Sequence, residues 1–172
     1  MKKEIRKKYL NIRKNINNKT FKDNLIYQKM ITNKKIINSE AILIYVSTEE
    51  EIDTLRAINY FINKKKIAVP KIENNEMNFY YINSLNELRL GYFNILEPNN
   101  NNLVTDFTNT VSITPGICFS EEGYRIGYGK GYYDKFYQKH NVYKIGLCYK
   151  KCLLNTIPYD KYDKKVDEII TE

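Results

Sequence analysis

The feature that most constrains the fold of this chain is a set of short apolar runs that do not alternate with polar residues. Ala41–Ser47 reads AILIYVS, and Lys66–Val69, closed by Pro70, is a second run of this kind. A strand of a parallel sheet is buried on both faces and shows such continuity, whereas a strand with one solvated face alternates. Both segments are therefore predicted to be interior strands, and Tyr143–Tyr149 is a further predicted strand.

Segments with helical spacing lie between these strands. Ile5, Tyr9, Ile12 and Ile16 are separated by 4, 3 and 4 residues, the spacing of one face of a helix. Strands that alternate with helices predict a mostly parallel sheet covered by helices on both faces, a three-layer α/β/α architecture. Residues 1–172 contain no evident linker or internal repeat, so a single domain is predicted.

The remaining elements are predicted from spacing and turn residues. Thr20 followed by Asp23 predicts the start of a second helix, as an aspartate variant of the capping box. This helix is expected to bury Phe21, Leu25, Ile26 and Met30. Further elements are predicted as follows: a helix over Asp53–Ile62, a strand over Met77–Ile82, a short helix over Ser84–Leu90, a strand over Val111–Phe119 that is interrupted at Pro115–Gly116, and a helix over Gly131–Lys139.

The positive charge of the chain is concentrated in its first helical region. The formal net charge is +8, and residues 1–40 carry 12 lysines and arginines against 3 acidic residues, whereas the rest carries 16 against 17. A nucleic-acid-binding protein usually adds arginines for base edges or aromatic side chains for stacking. This chain has five arginines in all. The pattern argues against a nucleic-acid partner, and a basic RNA-binding module is kept as an alternative.

The cysteines and the histidine exclude several classes of site. Cys118, Cys148 and Cys152 are odd in number and lack the spacing of a zinc knuckle. They predict reduced thiols in a cytoplasmic compartment. His140 is the one histidine, which argues against a serine or cysteine nucleophile with a histidine base.

No apolar stretch approaches the roughly 20 residues of a membrane-spanning helix, and the first residues are too polar for a signal peptide. No membrane partner is expected.

The most informative segment of the sequence is a glycine loop before a predicted helix. Its glycines alternate, at Gly127, Gly129 and Gly131. Alternating glycines let backbone N–H groups approach an anion, and the N-terminus of the following helix adds partial positive charge. Arg125 and Lys130 would neutralise phosphate oxygens, and Asp134 follows where its carboxylate could hold a metal ion. This combination favours a nucleotide phosphate site over a structural turn.

Neither of the common phosphate loops matches this segment. The Walker form requires Ser or Thr after its lysine, and Lys130 is followed by Gly131. The dinucleotide form requires a third glycine where this chain has Tyr132. The loop is therefore of another kind.

The segment Pro115–Tyr137, PGICFSEEGYRIGYGKGYYDKFY, resembles the signature of the 5-formyltetrahydrofolate cyclo-ligase family. The resemblance covers nearly the whole chain in order. It includes VPK at Val69–Lys71, the pattern G-x-F-x-I-x-E-P over Gly91–Pro98, and KVDEII near the end. The chain departs from the family pattern at Thr110 and Ser120, where acidic residues are usual. The resemblance implies ATP-dependent closure of 5-formyltetrahydrofolate to 5,10-methenyltetrahydrofolate, with release of ADP and phosphate.

The resemblance also implies roles for individual residues. ATP is expected to contact Lys2, Lys3, Arg6, Arg125, Ile126, Gly127, Tyr128, Gly129, Lys130, Gly131, Tyr132 and Tyr133. The folate is expected at Val46, Glu51, Tyr128, Gly129, Lys130, Gly131 and Tyr132. The implied catalytic residues are Lys130, Arg125 and Tyr132, and the implied ligands of Mg²⁺ are Asp134 and Asp167. Val166–Ile170 would then dock beside the glycine loop.

A helical wheel supports the placement of the N-terminal cations. At about 100° per residue, Arg6 lies near 40° and Arg13 near 20° from Lys2, and the apolar stripe falls at roughly 280–340°. These three cations border the buried face, whereas Lys3, Lys7 and Lys14 point to water. The placement suits a helix that leans over a cleft.

Two further expectations concern partners and rival enzymes. No amphipathic face is left over, which favours a monomer. A phosphosugar isomerase or a CoA-transferring enzyme of similar architecture is the other alternative. Neither would need the helix with Lys2 and Arg6 together with the segment KVDEII.

Overall fold

The computed structural model describes residues 1–172, apart from the side chain of Tyr92. The helices are α1 (Lys2–Lys14), α2 (Lys19–Thr32), α3 (Lys34–Asn38), α4 (Leu55–Phe61) and α5 (Tyr132–Lys139). The strands are β1 (Ala41–Ile44), β2 (Lys66–Glu73), β3 (Glu76–Ile82), β4 (Leu88–Leu90), β5 (Leu96–Pro98), β6 (Thr110–Thr114), β7 (Cys118–Ser120), β8 (Arg125–Ile126), β9 (Tyr143–Leu147), β10 (Leu153–Leu154) and β11 (Glu168–Ile170).

The central sheet has the strand order β11-β9-β6-β1-β2-β3 in the described part of the chain. β1 pairs in parallel with β2 and β6, and β9 pairs in parallel with β6 and β11. β3 is antiparallel to β2. In this register Ile42 of β1 lies opposite Ile67 of β2 and Val111 of β6. The predicted mostly parallel sheet is confirmed.

Helices cover both faces of this sheet, as the side chains of β1 show. Successive side chains of a strand point to opposite faces. Ile42 and Ile44 belong to a buried cluster with residues of α2 and α4, among them Ile26, Met30, Ile58 and Phe61. Leu43 belongs to a second cluster with Phe136 and Tyr137 of α5. Burial on both sides explains the continuous apolar run, and the three-layer prediction is confirmed.

The glycine loop is carried by a smaller sheet beside the central one. β7 pairs antiparallel with β8 and parallel with β10. The run Val111–Phe119, predicted as one interrupted strand, forms two strands of different sheets, because β6 ends before Pro115–Gly116 and β7 begins at Cys118. The break occurs at the carboxyl edge of the parallel strands, where ligands bind in α/β proteins.

The start of α2 differs from the prediction. The helix begins at Lys19 after Asn18, which has a left-handed φ of 54°. Asp23 does not cap the helix but is buried, and its carboxylate accepts hydrogen bonds from Tyr149 Oη and Lys19 Nζ. Phe21, predicted as buried, is 63% exposed because a different face of α2 packs against the core.

The segment predicted as a short helix over Ser84–Leu90 divides into a 3₁₀ turn and a strand. Ser84 and Glu87 form a capping box around the turn Leu85–Glu87. The chain then enters β4, which pairs antiparallel with β5. Leu88 is buried at this pairing, so the apolar residues of the segment serve a hairpin rather than a helix face.

Strand β2 continues through Pro70, which the sequence predicted to be its end. The pairing of β2 with β1 reaches Ala68, and beyond this residue β3 is the described neighbour of β2. At Pro70 the strand therefore no longer needs an N–H donor toward β1. Proline is tolerated at such a position in a sheet, because it has no N–H to donate.

The C-terminal segment forms the outer strand of the central sheet. Val166 N donates to Gly123 O at 2.9 Å, shortly before the glycine loop. β11 then pairs in parallel with β9, and Val166 and Ile170 are buried. The expected docking of Val166–Ile170 beside the glycine loop occurs at Val166, and the rest of the segment completes the sheet.

Candidate active site

Helix α1 lies against the glycine loop and holds it through Arg6. Arg6 Nε donates to Gly127 O at 2.8 Å. A Cβ atom placed on Gly129 would lie 3.2 Å from Arg6 Nη2, and the φ of +101° at this residue disfavours any side chain. Glycine at position 129 is therefore what allows the guanidinium of Arg6 to lie directly on the loop.

Arg13, about two turns further along α1, is a site residue that the sequence assignments left out. It is 5% exposed. Nη1 donates to Gly116 O at 3.3 Å, and Nη2 donates to Tyr128 Oη in the glycine loop. Nε is buried and has no hydrogen-bond partner among the described residues. The helical wheel did place Arg13 beside the buried face of α1. Residue spacing cannot show, however, which groups the guanidinium contacts.

A small pocket of about 10 Å³ beside Arg13 opens at the edge where β1 and β6 end. Its lining includes Arg13, Tyr45, Glu51, Gly116 and Tyr149. Glu51 is 9% exposed, and its Oε2 accepts from Thr48 N at 2.9 Å and from Thr48 Oγ1 at 3.2 Å. Val46 is buried just after β1. The two residues predicted for folate in this segment thus lie at the carboxyl edge of the sheet.

Burial keeps the hydroxyl and thiol groups of this pocket protonated. It raises the pKa of Tyr45 well above its ordinary value, and the nearby Glu51 carboxylate acts in the same direction. Burial also raises the pKa of Cys152 to about 11 and raises that of Cys148. Since a thiolate is the nucleophilic form of cysteine, these thiols are inert at neutral pH.

The tip of the glycine loop faces solvent. Tyr128 is 55% exposed, and Lys130 is exposed. Gly131 ends the loop with a left-handed φ of 68° and is the N-cap residue of α5. The ammonium of Lys130 and the N-terminus of α5 are therefore accessible to an anion.

The residues on either side of the tip support the loop. Ile126 in β8 is buried, and Tyr132 and Tyr133 at the start of α5 are partly buried. The Arg125 side chain is 6% exposed; its Nη2 lies 2.9 Å from Asp134 Oδ1 and its Nη1 lies 2.7 Å from Lys164 O. Arg125 thus braces the loop against α5 and the C-terminal segment, and its role toward ATP stays a prediction.

The lysines at the start of α1 have other surroundings than Arg6. Lys2 Nζ pairs with Asp163 and lies 3.4 Å from Asp160 Oδ2, both in the segment before β11. Lys3 is exposed. Of the predicted N-terminal phosphate ligands, Arg6 is the one that hydrogen-bonds to the glycine loop among the described residues.

The predicted metal ligands, Asp134 and Asp167, each pair with a cation near the ring of Tyr137. Arg125 pairs with Asp134, and Lys144 Nζ lies 3.1 Å from Asp167 Oδ2. The Arg125 Cζ and Lys144 Nζ atoms are 5.7 Å and 5.6 Å from the centroid of the Tyr137 ring. The described residues contain no cluster of three or more metal-binding side chains. Mg²⁺ is commonly held by one or two carboxylates together with substrate phosphates, and the assignment of Asp134 and Asp167 to this ion stays a prediction.

These features define a class of protein. It is an α/β protein in which a glycine loop flanked by cations and a pocket with a buried carboxylate share the carboxyl edge of a mostly parallel sheet. The model of the 5-formyltetrahydrofolate cyclo-ligase family matches residues 1–172, and the chain belongs to this family.

Individual relatives agree with this assignment. The 5-formyltetrahydrofolate cyclo-ligase of Mus musculus is 30% identical over 164 residues, which cover 86% of this chain and 81% of the mouse protein. The NMR structure of Aquifex aeolicus 5,10-methenyltetrahydrofolate synthetase is 29% identical, with a TM-score of 0.89 over 99% of this chain and 89% of that one. The Mycoplasma pneumoniae 5,10-methenyltetrahydrofolate synthetase, 22% identical, shares the fold with a TM-score of 0.78 over 99% of this chain and 98% of that one.

Within the described residues, no helix is both long enough and apolar enough to cross a bilayer.

Proposed function

We propose that the protein catalyses the ATP-dependent cyclisation of 5-formyltetrahydrofolate to 5,10-methenyltetrahydrofolate, with release of ADP and phosphate. Membership of the family supports this activity. The observation that carries the proposal is that Arg6 lies on the glycine loop while Glu51 lies in the adjoining pocket. Arg13 connects the two, since it lines the pocket and bonds to Tyr128 of the loop. Groups suited to an anion and to a hydrogen-bonding ring therefore lie side by side.

The reaction requires an activated formyl group, because a formamide oxygen is a poor leaving group. Transfer of the γ-phosphoryl group of ATP to this oxygen forms a C–O–P link and releases ADP. The neighbouring folate nitrogen then attacks the formyl carbon and loses its proton to water, the C–O bond breaks, and phosphate departs with the electron pair. The reacting groups belong to one molecule, so orientation supplies much of the rate. No protein nucleophile is needed, in keeping with the protonated thiols of the pocket.

The side chains of this chain have separate tasks in the proposed reaction. Lys130 and Arg6 neutralise the oxygens of the transferring phosphoryl group, where negative charge has to be stabilised. Glu51 accepts paired hydrogen bonds from the aminopyrimidine edge of the pterin. Arg125 and Tyr132 hold the two ends of the glycine loop, so that Lys130 keeps its direction.

Asp134 and Asp167 would hold Mg²⁺ in this proposal. The bound ion supplies positive charge to the ATP phosphates. Arg125 fixes the orientation of Asp134, and Lys144 does the same for Asp167.

Nucleotide hydrolysis that depends on the folate tests the proposal. ADP should form in the presence of 5-formyltetrahydrofolate, in a one-to-one ratio with the methenyl product measured by its absorbance. ADP formation at the same rate without the folate, or product formation without ATP, would contradict it. A phosphosugar isomerase or a CoA-transferring enzyme would show neither signal.

The proposal includes a cytoplasmic monomer that takes neither nucleic acid nor a membrane as a partner. Sedimentation of the protein alone and with RNA tests this part. A dimer mass, or an RNA-dependent shift at physiological salt, would contradict it.

A further inference from the structure

We propose that Arg13 positions the folate, because it fixes Tyr128, and with it the glycine loop, beside the pocket that contains Glu51. The inference rests on the proposed cyclo-ligase reaction and adds a residue to which the sequence assigned no role.

Arg13 joins three separate parts of the site. From α1 its guanidinium reaches the carbonyl of Gly116 in the turn between β6 and β7, and it reaches Tyr128 Oη in the glycine loop. The Arg13 Cζ atom also lies 5.6 Å from the centroid of the Tyr128 ring. The cation therefore contacts the phenol through a hydrogen bond and through the ring. Since Tyr128 is 55% exposed, few other contacts fix its side chain.

Stability alone does not account for an arginine at this position. The side chain is 5% exposed, and its Nε is buried without a hydrogen-bond partner among the described residues. A buried donor without a partner is destabilising, and an aliphatic side chain would fill the same space without that cost. The pocket that Arg13 lines also contains the Glu51 carboxylate. A guanidinium with a spare donor in this place is suited to a polar ring.

The consequence is a division of tasks along α1. Arg6 and Arg13 are seven residues apart, so they lie on one face of the helix. Arg6 contacts the loop at Gly127 and Gly129, where the proposed function places phosphate. Arg13 contacts the loop at Tyr128 and borders the pocket proposed for the pterin. Loss of Arg13 should therefore impair the use of folate more than the use of ATP.

Steady-state kinetics of Arg13→Leu test this separation. We expect the KM for 5-formyltetrahydrofolate to rise about 10-fold or more, since a charge-assisted hydrogen bond is lost, and the KM for ATP to stay within about twofold. The melting temperature should not fall. Lys14→Leu removes the same charge from the exposed face of α1 and should match the parent.

The variant Tyr128→Phe removes the same hydrogen bond by changing its exposed partner, and it leaves the core intact. This variant should also raise the KM for the folate. The double variant should be no worse than the worse of the two single variants, because both changes break one interaction. Equal increases of both KM values in Arg13→Leu, or additive effects in the double variant, would overturn the proposal. A lowered melting temperature with unchanged KM values would make Arg13 a brace of the fold.

Amide hydrogen exchange of residues 127–131 provides a readout that needs no substrate. Arg13→Leu and Tyr128→Phe should exchange about tenfold faster than Lys14→Leu in this segment, because the loop opens more often. Equal exchange in the three variants would overturn the positioning role. An inactive parent enzyme would instead overturn the proposed function, and the exchange rates would still decide whether Arg13 holds the loop.

Discussion

Lys2, at the start of α1, is paired with Asp163, 161 residues further along the chain. Asp160 Oδ2 lies 3.4 Å from the same ammonium group. The cation that the sequence predicted for the ATP phosphates is thus neutralised by carboxylates of the chain itself. The Lys2 side chain is 33% exposed, and an ion pair screened by water contributes about 1 kcal/mol or less. A phosphate group is therefore able to replace Asp163.

Asp163→Asn should lower the KM for ATP. The KM for ATP should fall about two- to fivefold, because the nucleotide would no longer have to displace the Asp163 carboxylate from Lys2. Initial rates over an ATP titration measure it. Asp106→Asn, which removes one charge from an exposed loop, is the control. A raised KM in Asp163→Asn would show that the carboxylate instead holds Lys2 in place for ATP.

Lys130→Ala should remove most of the turnover and leave the fold intact. The ammonium is exposed at the loop tip, so stability should change by about 0.5 kcal/mol at most. A drop in turnover of about 10²-fold or more is expected when a phosphoryl group loses a charged donor. The rise of methenyl absorbance reports the rate. Activity within about threefold of the parent would remove Lys130 from the proposed phosphate site.

Arg6→Ala should raise the KM for ATP far more than Lys7→Ala does. Both changes remove one positive charge from α1, but Arg6 lies on Gly127 and Gly129, whereas Lys7 is exposed. A ratio of about tenfold between the two KM values is expected for the loss of a charge-assisted contact. Equal KM values in the two variants would mean that α1 acts only through the electrostatic field of its overall positive charge.

Glu51→Gln should weaken folate binding by about tenfold and leave ATP binding nearly unchanged. The amide can still accept from Thr48, so the local turn should persist, whereas paired hydrogen bonds to an aminopyrimidine edge need a carboxylate. Calorimetry with each ligand measures the two affinities. Glu49→Gln, at an exposed position of the same acidic run, is the matched control. If both variants bind the folate like the parent, Glu51 only shapes the turn.

Asp167→Asn should raise the Mg²⁺ concentration needed for half-maximal turnover by about tenfold, as expected for a lost carboxylate ligand. Its side chain is 42% exposed, so little stability should be lost. Asp106→Asn is again the control, since Asp163 is engaged with Lys2. If the magnesium titrations of both variants superimpose on that of the parent, the pair of Asp167 with Lys144 has only a structural role.

The sheet and the glycine loop could be predicted because their signals are local. The continuous apolar run at Ala41–Ser47 reflects burial of β1 by α2 and α4 on one side and by α5 on the other. The alternating glycines place Gly129 and Gly131 at positive φ, which their neighbours would adopt only with strain. Neither signal depends on a contact with a residue that is distant in the sequence.

Other features depend on contacts between distant parts of the chain, and the sequence could not predict them. Asp23 has the spacing of a helix cap, yet its partner is Tyr149, 126 residues away. The wheel showed that Arg13 borders a buried face, but its bond to Tyr128 follows from the packing of α1 on the loop. The division of Val111–Phe119 between two sheets likewise depends on β10, which pairs with β7 from later in the chain.

The long separations between α1 and its partners set an order of events during synthesis on the ribosome. Arg6 meets Gly127, Arg13 meets Tyr128 and Lys2 meets Asp163, so the first helix to be made receives its contacts late. Contacts of such high sequence separation slow folding, and they leave apolar surface open to other proteins until they form. A chain halted before residue 160 would carry the glycine loop without the two carboxylates that neutralise Lys2.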